Sequence, residues 1–323
     1  MSKASILLTR RWPASVEKRL QDLFDVSLNV SDKPMSQAQL REAFATHDAV
    51  CPSVTDKIAA NSFPAGAVKA RIIANYGVGF NHIDIEAAHK AGMQVTNTPD
   101  VLTDCTADLA MCLMLMVARR AGEGERQLRA NQWSGWFPTH LMGTAVTGKT
   151  LGIVGMGRIG QAMARKAHHG FGMKILYHNR RPLAAEISRE LAADFCGELG
   201  ELLARADFVA LHCPAAPETW HLINRDTLAQ MQPHAFLINT ARGDVVDEEA
   251  LVDALEKRLI AGAGLDVYEH EPQVPEALKA MENVVLLPHL GSATEETRIA
   301  MGMRVIDNLE AFFRGEEPPD RIV

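Results

Sequence analysis

The chain reads as an α/β protein built from two doubly wound parallel sheets. Three observations in its 323 residues predict this. Short apolar runs alternate with amphipathic helical stretches from end to end, one non-periodic segment interrupts them, and a glycine-rich turn follows the first apolar run after the interruption. Strands alternating with helices at this spacing are the pattern of βαβ units, whose parallel strands need helical crossovers.

In the first third, apolar runs at 5–9, 26–29, 49–51, 71–75 and 94–97 are candidate strands, with amphipathic stretches at 13–23, 36–44 and 85–91 between them. A long helical pattern follows from Thr103 to about Leu128, opened by Thr and Asp as capping candidates and apolar at Leu109, Cys112, Leu113, Met116 and Val117. Its crowding of Met and Leu marks a buried helix face. Segment 132–148, QWSGWFPTHLMGTAVTG, lacks periodicity and reads as an arm leading into a second domain. From Thr150 the alternation restarts as TLGIVG, KILYH, DFVALH, AFLINT, AGAGLDV and VVLLP, with helical connections between the runs. Six such runs predict a doubly wound sheet.

The length suggests about two domains, at ~100–200 residues each. With 47% hydrophobic and 23% charged residues, the chain can bury two ordinary globular cores. A net charge of −7 supplies no basic stripe, so no nucleic-acid partner is expected. The five cysteines (Cys51, Cys105, Cys112, Cys196 and Cys213) are scattered without a CxxC pair, which argues against a disulfide framework or a cysteine-based metal site and fits a reducing compartment. The N-terminal apolar stretch is too short for a signal-peptide core, and the longest apolar run, 109–118, falls well short of the ~20 residues that span a bilayer. The expectation is a cytoplasmic protein with no membrane partner and no metal.

The most informative short motif is Gly155-Met-Gly157-Arg158-Ile159-Gly160. Such a string alone is weak, but here it follows an apolar run and opens a helical pattern at 159–166. Gly155 allows the tight turn, Gly157 lets the backbone approach a pyrophosphate, and Gly160 lets helix and sheet pack, while the helix N-terminus offers free N–H groups. A dinucleotide site is expected. The acidic residue that accepts from an NAD ribose normally lies ~20 positions on, at the end of the next strand. That position holds Asn179, followed by Arg180 and Arg181. Two guanidiniums suit a 2′-phosphate that a carboxylate would repel, so NADP(H) is favoured, with NAD(H) left open because Asn179 can hydrogen-bond a bare hydroxyl.

Three further motifs end predicted strands: Ile238-Asn-Thr240-Ala241-Arg242-Gly-Asp, Gly264-Leu-Asp266-Val-Tyr-Glu-His-Glu271-Pro, and Leu286-Leu-Pro-His289-Leu-Gly-Ser292. Ligands of open α/β sheets bind outside the carboxyl ends of the strands, where all three motifs lie. Arg242, Glu271 and His289 form a coherent set for reducing a carbonyl beside a carboxylate. His289 supplies the proton, Glu271 favours its imidazolium, and Arg242 binds the substrate carboxylate or polarises the carbonyl. Asp266 is placed to bind the nicotinamide amide.

Over nearly its whole length, from Asn75-Tyr-Gly-Val-Gly-Phe-Asn-His-Ile-Asp84 through the glycine turn to His289-Leu-Gly-Ser-Ala-Thr294, the sequence resembles the D-isomer-specific 2-hydroxyacid dehydrogenases, and within them the glyoxylate/hydroxypyruvate reductase branch. The resemblance implies NAD(P)H-dependent reduction of small 2-oxo acids, with Arg242, Glu271 and His289 as catalytic residues. Val78 and Gly79 would bind the substrate carboxylate through backbone N–H groups, with Ser292 beside the substrate. Arg158, Ile159, His212, Cys213, Pro214, Thr219 and Thr240 would contact the cofactor, and Thr106, Ala241, Arg242 and Asp266 would surround the nicotinamide.

The implied fold is a Rossmann-type cofactor domain at 100–289 and a discontinuous flavodoxin-like substrate domain at 1–99 and 290–323, with the active site in the cleft between them. A homodimer is implied too, with the long helix and the arm bearing Trp133 and Trp136 wrapping the partner. Where some eukaryotic relatives of this branch project a Trp toward the pocket, this chain has His140, which leaves the preferred 2-oxo acid open. Glu271 argues against formate dehydrogenases, which carry Gln there. The alternatives are a dinucleotide-sensing, co-repressor-like binding protein and a family member acting on a bulkier 2-oxo acid.

Overall fold

The computed structural model describes residues 3–323 and divides into two compact units, one made of the segments up to Leu102 and Ser292–Val323, the other of Thr103–Gly291. The first unit is a five-stranded sheet of β1 (Ser5–Leu8), β2 (Asp25–Leu28), β3 (Ala49–Cys51), β4 (Ile72–Ala74) and β5 (Gln94–Thr96). The strand order is β2-β1-β3-β4-β5 and every pair is parallel, the flavodoxin-like arrangement. The central strands β1, β3 and β4 are almost continuously apolar because helices cover both faces: Ile6, Leu8, Val50, Cys51, Ile72 and Ile73 are fully buried.

The C-terminal helix Glu295–Phe313 belongs to this unit. Gly302 brings it so close to the helix Ala14–Leu23 that an added Cβ would lie 2.5 Å from Val16 Cγ1. Beyond it, the tail lies along β5, with Ile322 N–H donating to Val95 O at 2.7 Å. Buried Asp320 holds this return, accepting from Arg304 Nε and Nη2 at 2.6 and 2.7 Å and from Asn308 Nδ2 at 2.9 Å.

The second unit is a seven-stranded parallel sheet of β6 (Thr150–Val154), β7 (Lys174–His178), β8 (Ala193–Phe195), β9 (Phe208–Leu211), β10 (Phe236–Asn239), β11 (Gly262–Leu265) and β12 (Val284–Leu286). Its order, β12-β11-β10-β9-β6-β7-β8, is doubly wound about β6. Alternate residues feed two separate cores: Ile153, Ala210 and Ile238 point to one, Val154, Val209 and Leu237 to the other. The sequence pattern missed β8, whose three residues include only one buried side chain.

The long helical pattern is two helices, Thr103–Ala118 and Ala121–Arg129. Arg120, at φ 52°, breaks it, and the carbonyl of Ala118 accepts from Thr144 N–H of the following arm instead of continuing the helix. The second helix buries none of its residues. Among the described residues, no helix is long and apolar enough to cross a membrane.

Candidate active site

The glycine turn is built around backbone contacts that side chains would block. Gly155 has φ +95°, donates its N–H to His178 O at 3.0 Å, and has no room for a Cβ, which would lie 2.4 Å from Cys213 N. At Gly160 a Cβ would lie 2.4 Å from Gly155 O, so helix Arg158–Phe171 can pack on the turn only with glycine there. Gly157 instead faces open space, with nothing within 4 Å of a Cβ. As N-cap it supplies no side-chain acceptor, which leaves the N–H groups of Ile159 and Gly160 in the first turn for an incoming anion.

Asn179 follows β7, and its Oδ1 accepts from Met156 N–H at 3.0 Å, tying the strand end to the glycine turn. Its Oδ1 thus serves the fold, and what it can offer a ligand is its N–H donors. Asn179, Arg180 and Arg181 line one open pocket; both arginines are exposed, and among the described residues neither is ion-paired.

The loop after β9 carries His212, Cys213 and Pro214. Removal of water from the His212 imidazole pulls its pKa down to about 4, so the ring is neutral, with Nε2 3.0 Å from Met163 Sδ. Thr219 shapes this loop: its hydroxyl donates to Pro214 O at 2.7 Å and accepts from Ala216 N–H at 2.9 Å. Thr240, after β10, is different. Among the described residues its buried Oγ1 has no hydrogen-bond partner, as suits a group that meets a ligand. An open helix N-terminus, a glycine facing empty space and this orphaned hydroxyl together fit a dinucleotide.

The catalytic candidates from three strand ends meet in this unit. The turn after Arg242 lies on the backbone of Tyr268, so tightly that a Cβ on Gly243 would overlap Tyr268 C at 1.9 Å. Buried Asn239 sets the Arg242 backbone, accepting from Ala241 N–H at 3.0 Å and donating to Arg242 O at 2.9 Å. Burial pulls the Arg242 guanidinium below its ordinary range, opposed by the charges of Glu271 and Asp244.

Glu271 Oε1 accepts from Tyr268 N–H at 3.1 Å, and Oε2 lies 2.8 Å from His289 Nδ1. Burial works to raise the Glu271 pKa, but the hydrogen bond and charge of His289, the Tyr268 N–H and Arg242 outweigh it and hold the carboxyl below its ordinary range. An ionised Glu271 fixes the proton on Nδ1 and leaves Nε2 facing away from the pair.

Asp266 scaffolds this corner. Oδ1 accepts from Leu290 N–H at 2.6 Å and Oδ2 from Gly291 N–H at 2.8 Å, while its carbonyl accepts from His289 N–H at 2.9 Å. These bonds hold His289 at φ +55°. Thr106 is engaged in the same way, donating to Gly291 O at 3.0 Å.

Val78, Gly79 and Ser292 lie in the other unit. Val78 and Gly79 are half-buried, and among the described residues neither N–H donates to a protein acceptor, which leaves two adjacent donors for an anion. Ser292 O accepts from Arg298 Nε at 3.1 Å.

Residues 111–291 match the model of the D-isomer-specific 2-hydroxyacid dehydrogenase NAD-binding domain. The chain is 47% identical over 321 residues to a glyoxylate reductase of Thermococcus onnurineus, covering 98% of this chain and 95% of that one. It belongs to the D-isomer-specific 2-hydroxyacid dehydrogenases. A glyoxylate reductase of Pyrococcus horikoshii is likewise 47% identical, covering 98% of this chain and 95% of its own. Among solved structures, an NADPH-dependent glyoxylate/hydroxypyruvate reductase from Sinorhizobium meliloti, in complex with NADP and malonate, superposes with a TM-score of 0.88 at 36% identity, covering 100% of this chain and 97% of that one.

In this 2-hydroxyacid dehydrogenase, the sequence pattern singled out neither Asn239, which sets the Arg242 backbone, nor Tyr268, whose N–H holds Glu271. Asn239, the one polar residue closing the apolar run Phe236–Asn239, carried a signal that strand patterning could have flagged.

Proposed function

We propose that this dehydrogenase reduces glyoxylate and hydroxypyruvate to their 2-hydroxy acids, with NADPH preferred over NADH. The observation that carries the reaction is the 2.8 Å contact of His289 Nδ1 with the ionised Glu271, next to the Arg242 guanidinium. The glyoxylate reductases at 44–47% identity support the substrate class.

When bound, the reduced nicotinamide supplies the hydride; the chain does the rest. Val78 and Gly79 N–H groups hold the substrate carboxylate, and Arg242 polarises the carbonyl with a charge that burial strengthens. His289 Nε2 gives its proton to the carbonyl oxygen as negative charge develops there, and Glu271 stabilises the imidazolium before transfer. Ser292 lies beside the substrate. Gly155, Gly157, Arg158, Ile159 and Gly160 cradle the pyrophosphate, while His212, Cys213, Pro214, Thr240, Ala241 and Asp266 surround the rest of the coenzyme.

The coenzyme preference rests on Arg180 and Arg181, exposed and, among the described residues, without acidic partners, at the strand end where an NAD enzyme carries a carboxylate. With Oδ1 held by Met156, Asn179 adds donors to an anion site. A homodimer is part of the reading: Trp133 and Trp136 of the arm are 52% and 82% exposed, with Phe137 and Met142 also in solvent. Exposed large apolar side chains in one segment mark an interaction surface.

The test is absorbance at 340 nm with NADPH and NADH in parallel, offering glyoxylate, hydroxypyruvate, pyruvate and phenylpyruvate. Fast NADPH oxidation with the two small acids is expected. Faster turnover with NADH would overturn the coenzyme reading, and turnover confined to phenylpyruvate would overturn the substrate reading. Sedimentation should give twice the chain mass, and Trp136→Ser should shift it toward the monomer.

A further inference from the structure

Three consecutive carbonyls of the loop after β4 are fastened by two side-chain amides. Asn75 Nδ2 donates to Gly77 O and to Gly79 O, both at 3.0 Å, and Asn97 Nδ2 donates to Val78 O at 2.9 Å. Backbone Thr98 N–H adds a second bond to Gly77 O at 3.1 Å. Asn75 is fully buried, and its Oδ1 lies 3.0 Å from His82 Nε2. Its amide group is thereby oriented, since the nitrogen must face the carbonyls and the oxygen the imidazole.

A peptide plane has two ends, so a carbonyl fixed in one direction sends the N–H of the next residue in the other. Pinning Gly77 O aims the Val78 N–H, and pinning Val78 O aims the Gly79 N–H. Among the described residues, neither of these N–H groups donates to a protein acceptor. Gly77 permits the arrangement, because a Cβ there would press on Val54 Cγ1 at 3.3 Å.

We propose that Asn75 and Asn97 are positioning residues for substrate recognition: they hold the carbonyls of residues 77–79 so that the Val78 and Gly79 N–H groups converge on a carboxylate. This rests on the reading that those N–H groups bind the substrate carboxylate. The amides touch neither substrate nor coenzyme. They set the affinity for the acid and leave the nucleotide unit untouched.

The experiment uses the full-length enzyme saturated with NADPH and titrated with oxamate, an unreactive 2-oxo acid analogue. Wild type, Asn75→Leu and Asn97→Ala are compared, with 15N-valine and 15N-glycine labels reporting on the Val78 and Gly79 amides. Two lost bonds in Asn75→Leu should weaken oxamate and raise the KM for glyoxylate by about ten- to a hundredfold, and one lost bond in Asn97→Ala by about three- to tenfold. The KM for NADPH should stay within about twofold in both, a split that general destabilisation would not produce.

Oxamate should move the Val78 and Gly79 amide signals of wild type. If it does not, the carboxylate reading itself is wrong. If those signals respond but the variants bind oxamate as wild type does, the positioning proposal is overturned. Asn97 is only half-buried, so Asn97→Ala keeps the test open should Asn75→Leu fail to fold.

Discussion

Replacing Glu271 with Gln keeps the shape of the proton relay and removes its charge. Gln can still accept from Tyr268 N–H, so the loop that carries residue 271 should stay in place. What changes is the electrostatics at His289, whose Nδ1 now meets a neutral amide 2.8 Å away. The two side chains are 33% and 29% exposed, so the pair does not lie in a dry interior. At an effective dielectric near 20 and ~4 Å between charge centres, Coulomb attraction is ~4 kcal/mol, which solvent screening at this exposure cuts to about 1.5–3 kcal/mol. That is worth about ten- to a hundredfold in rate.

The sign follows from Glu271 being held ionised below its ordinary range. Losing that anion removes the attraction that steadies His289 while it carries the proton to be transferred. kcat for glyoxylate reduction should therefore fall about ten- to a hundredfold, with the KM for NADPH unchanged. A kcat within about twofold of wild type would refute the idea that the Glu271 charge serves the proton relay.

Other consequences are as specific. Arg180→Ala and Arg181→Ala should each raise the KM for NADPH about tenfold or more and leave that for NADH within about twofold, because a charge-assisted hydrogen bond is worth ~1.5–3 kcal/mol; equal losses for both coenzymes in steady-state kinetics would make the arginines structural. Gly155→Ala should abolish dinucleotide binding in a fluorescence titration, since a Cβ would lie 2.4 Å from Cys213 N at a φ of +95°; retained affinity would mean that the turn relaxes. Arg304→Ala should destabilise the first unit by about 2–3 kcal/mol in a denaturant titration, because it strips the fork from the buried Asp320 carboxylate while Asn308 remains. A change below about 0.5 kcal/mol would show that Asn308 and backbone bonds suffice.

The parts legible in the sequence were those that depend on repeated local pattern. Apolar runs such as Ile72–Ala74 and Phe236–Asn239 announce buried parallel strands, and in the turn Gly155 and Gly160 each meet a separate steric demand while Gly157 leaves space open. The break between the helices Thr103–Ala118 and Ala121–Arg129 was hidden because a distant residue, Thr144, takes the Ala118 carbonyl, while the helical pattern runs on through the break. For β8, a three-residue edge strand, there was too little periodicity to detect.

Residue types at the site were legible, but how each uses its hydrogen bonds was not. Asp266, read as a partner for the nicotinamide amide, uses both oxygens to hold the turn at 289–291, and Thr219 closes its own loop. Asn75 and Asn97 lie too deep in the architecture of the loop to be read from spacing. Their role appears only when the carbonyls they hold are traced to the N–H groups they free.

The central claim is hydride transfer to a 2-oxo acid with His289 completing the protonation. It is tested most directly by reducing hydroxypyruvate with NADPH deuterated at C4, each face in turn, and examining the product by mass spectrometry and chiral chromatography. The expected product is D-glycerate with one deuterium at C2 from one labelled face and none from the other, and turnover should be at least a hundredfold slower in His289→Ala, on the order expected for loss of a general acid. Unlabelled product from both coenzymes, or an undiminished rate in His289→Ala, would contradict it.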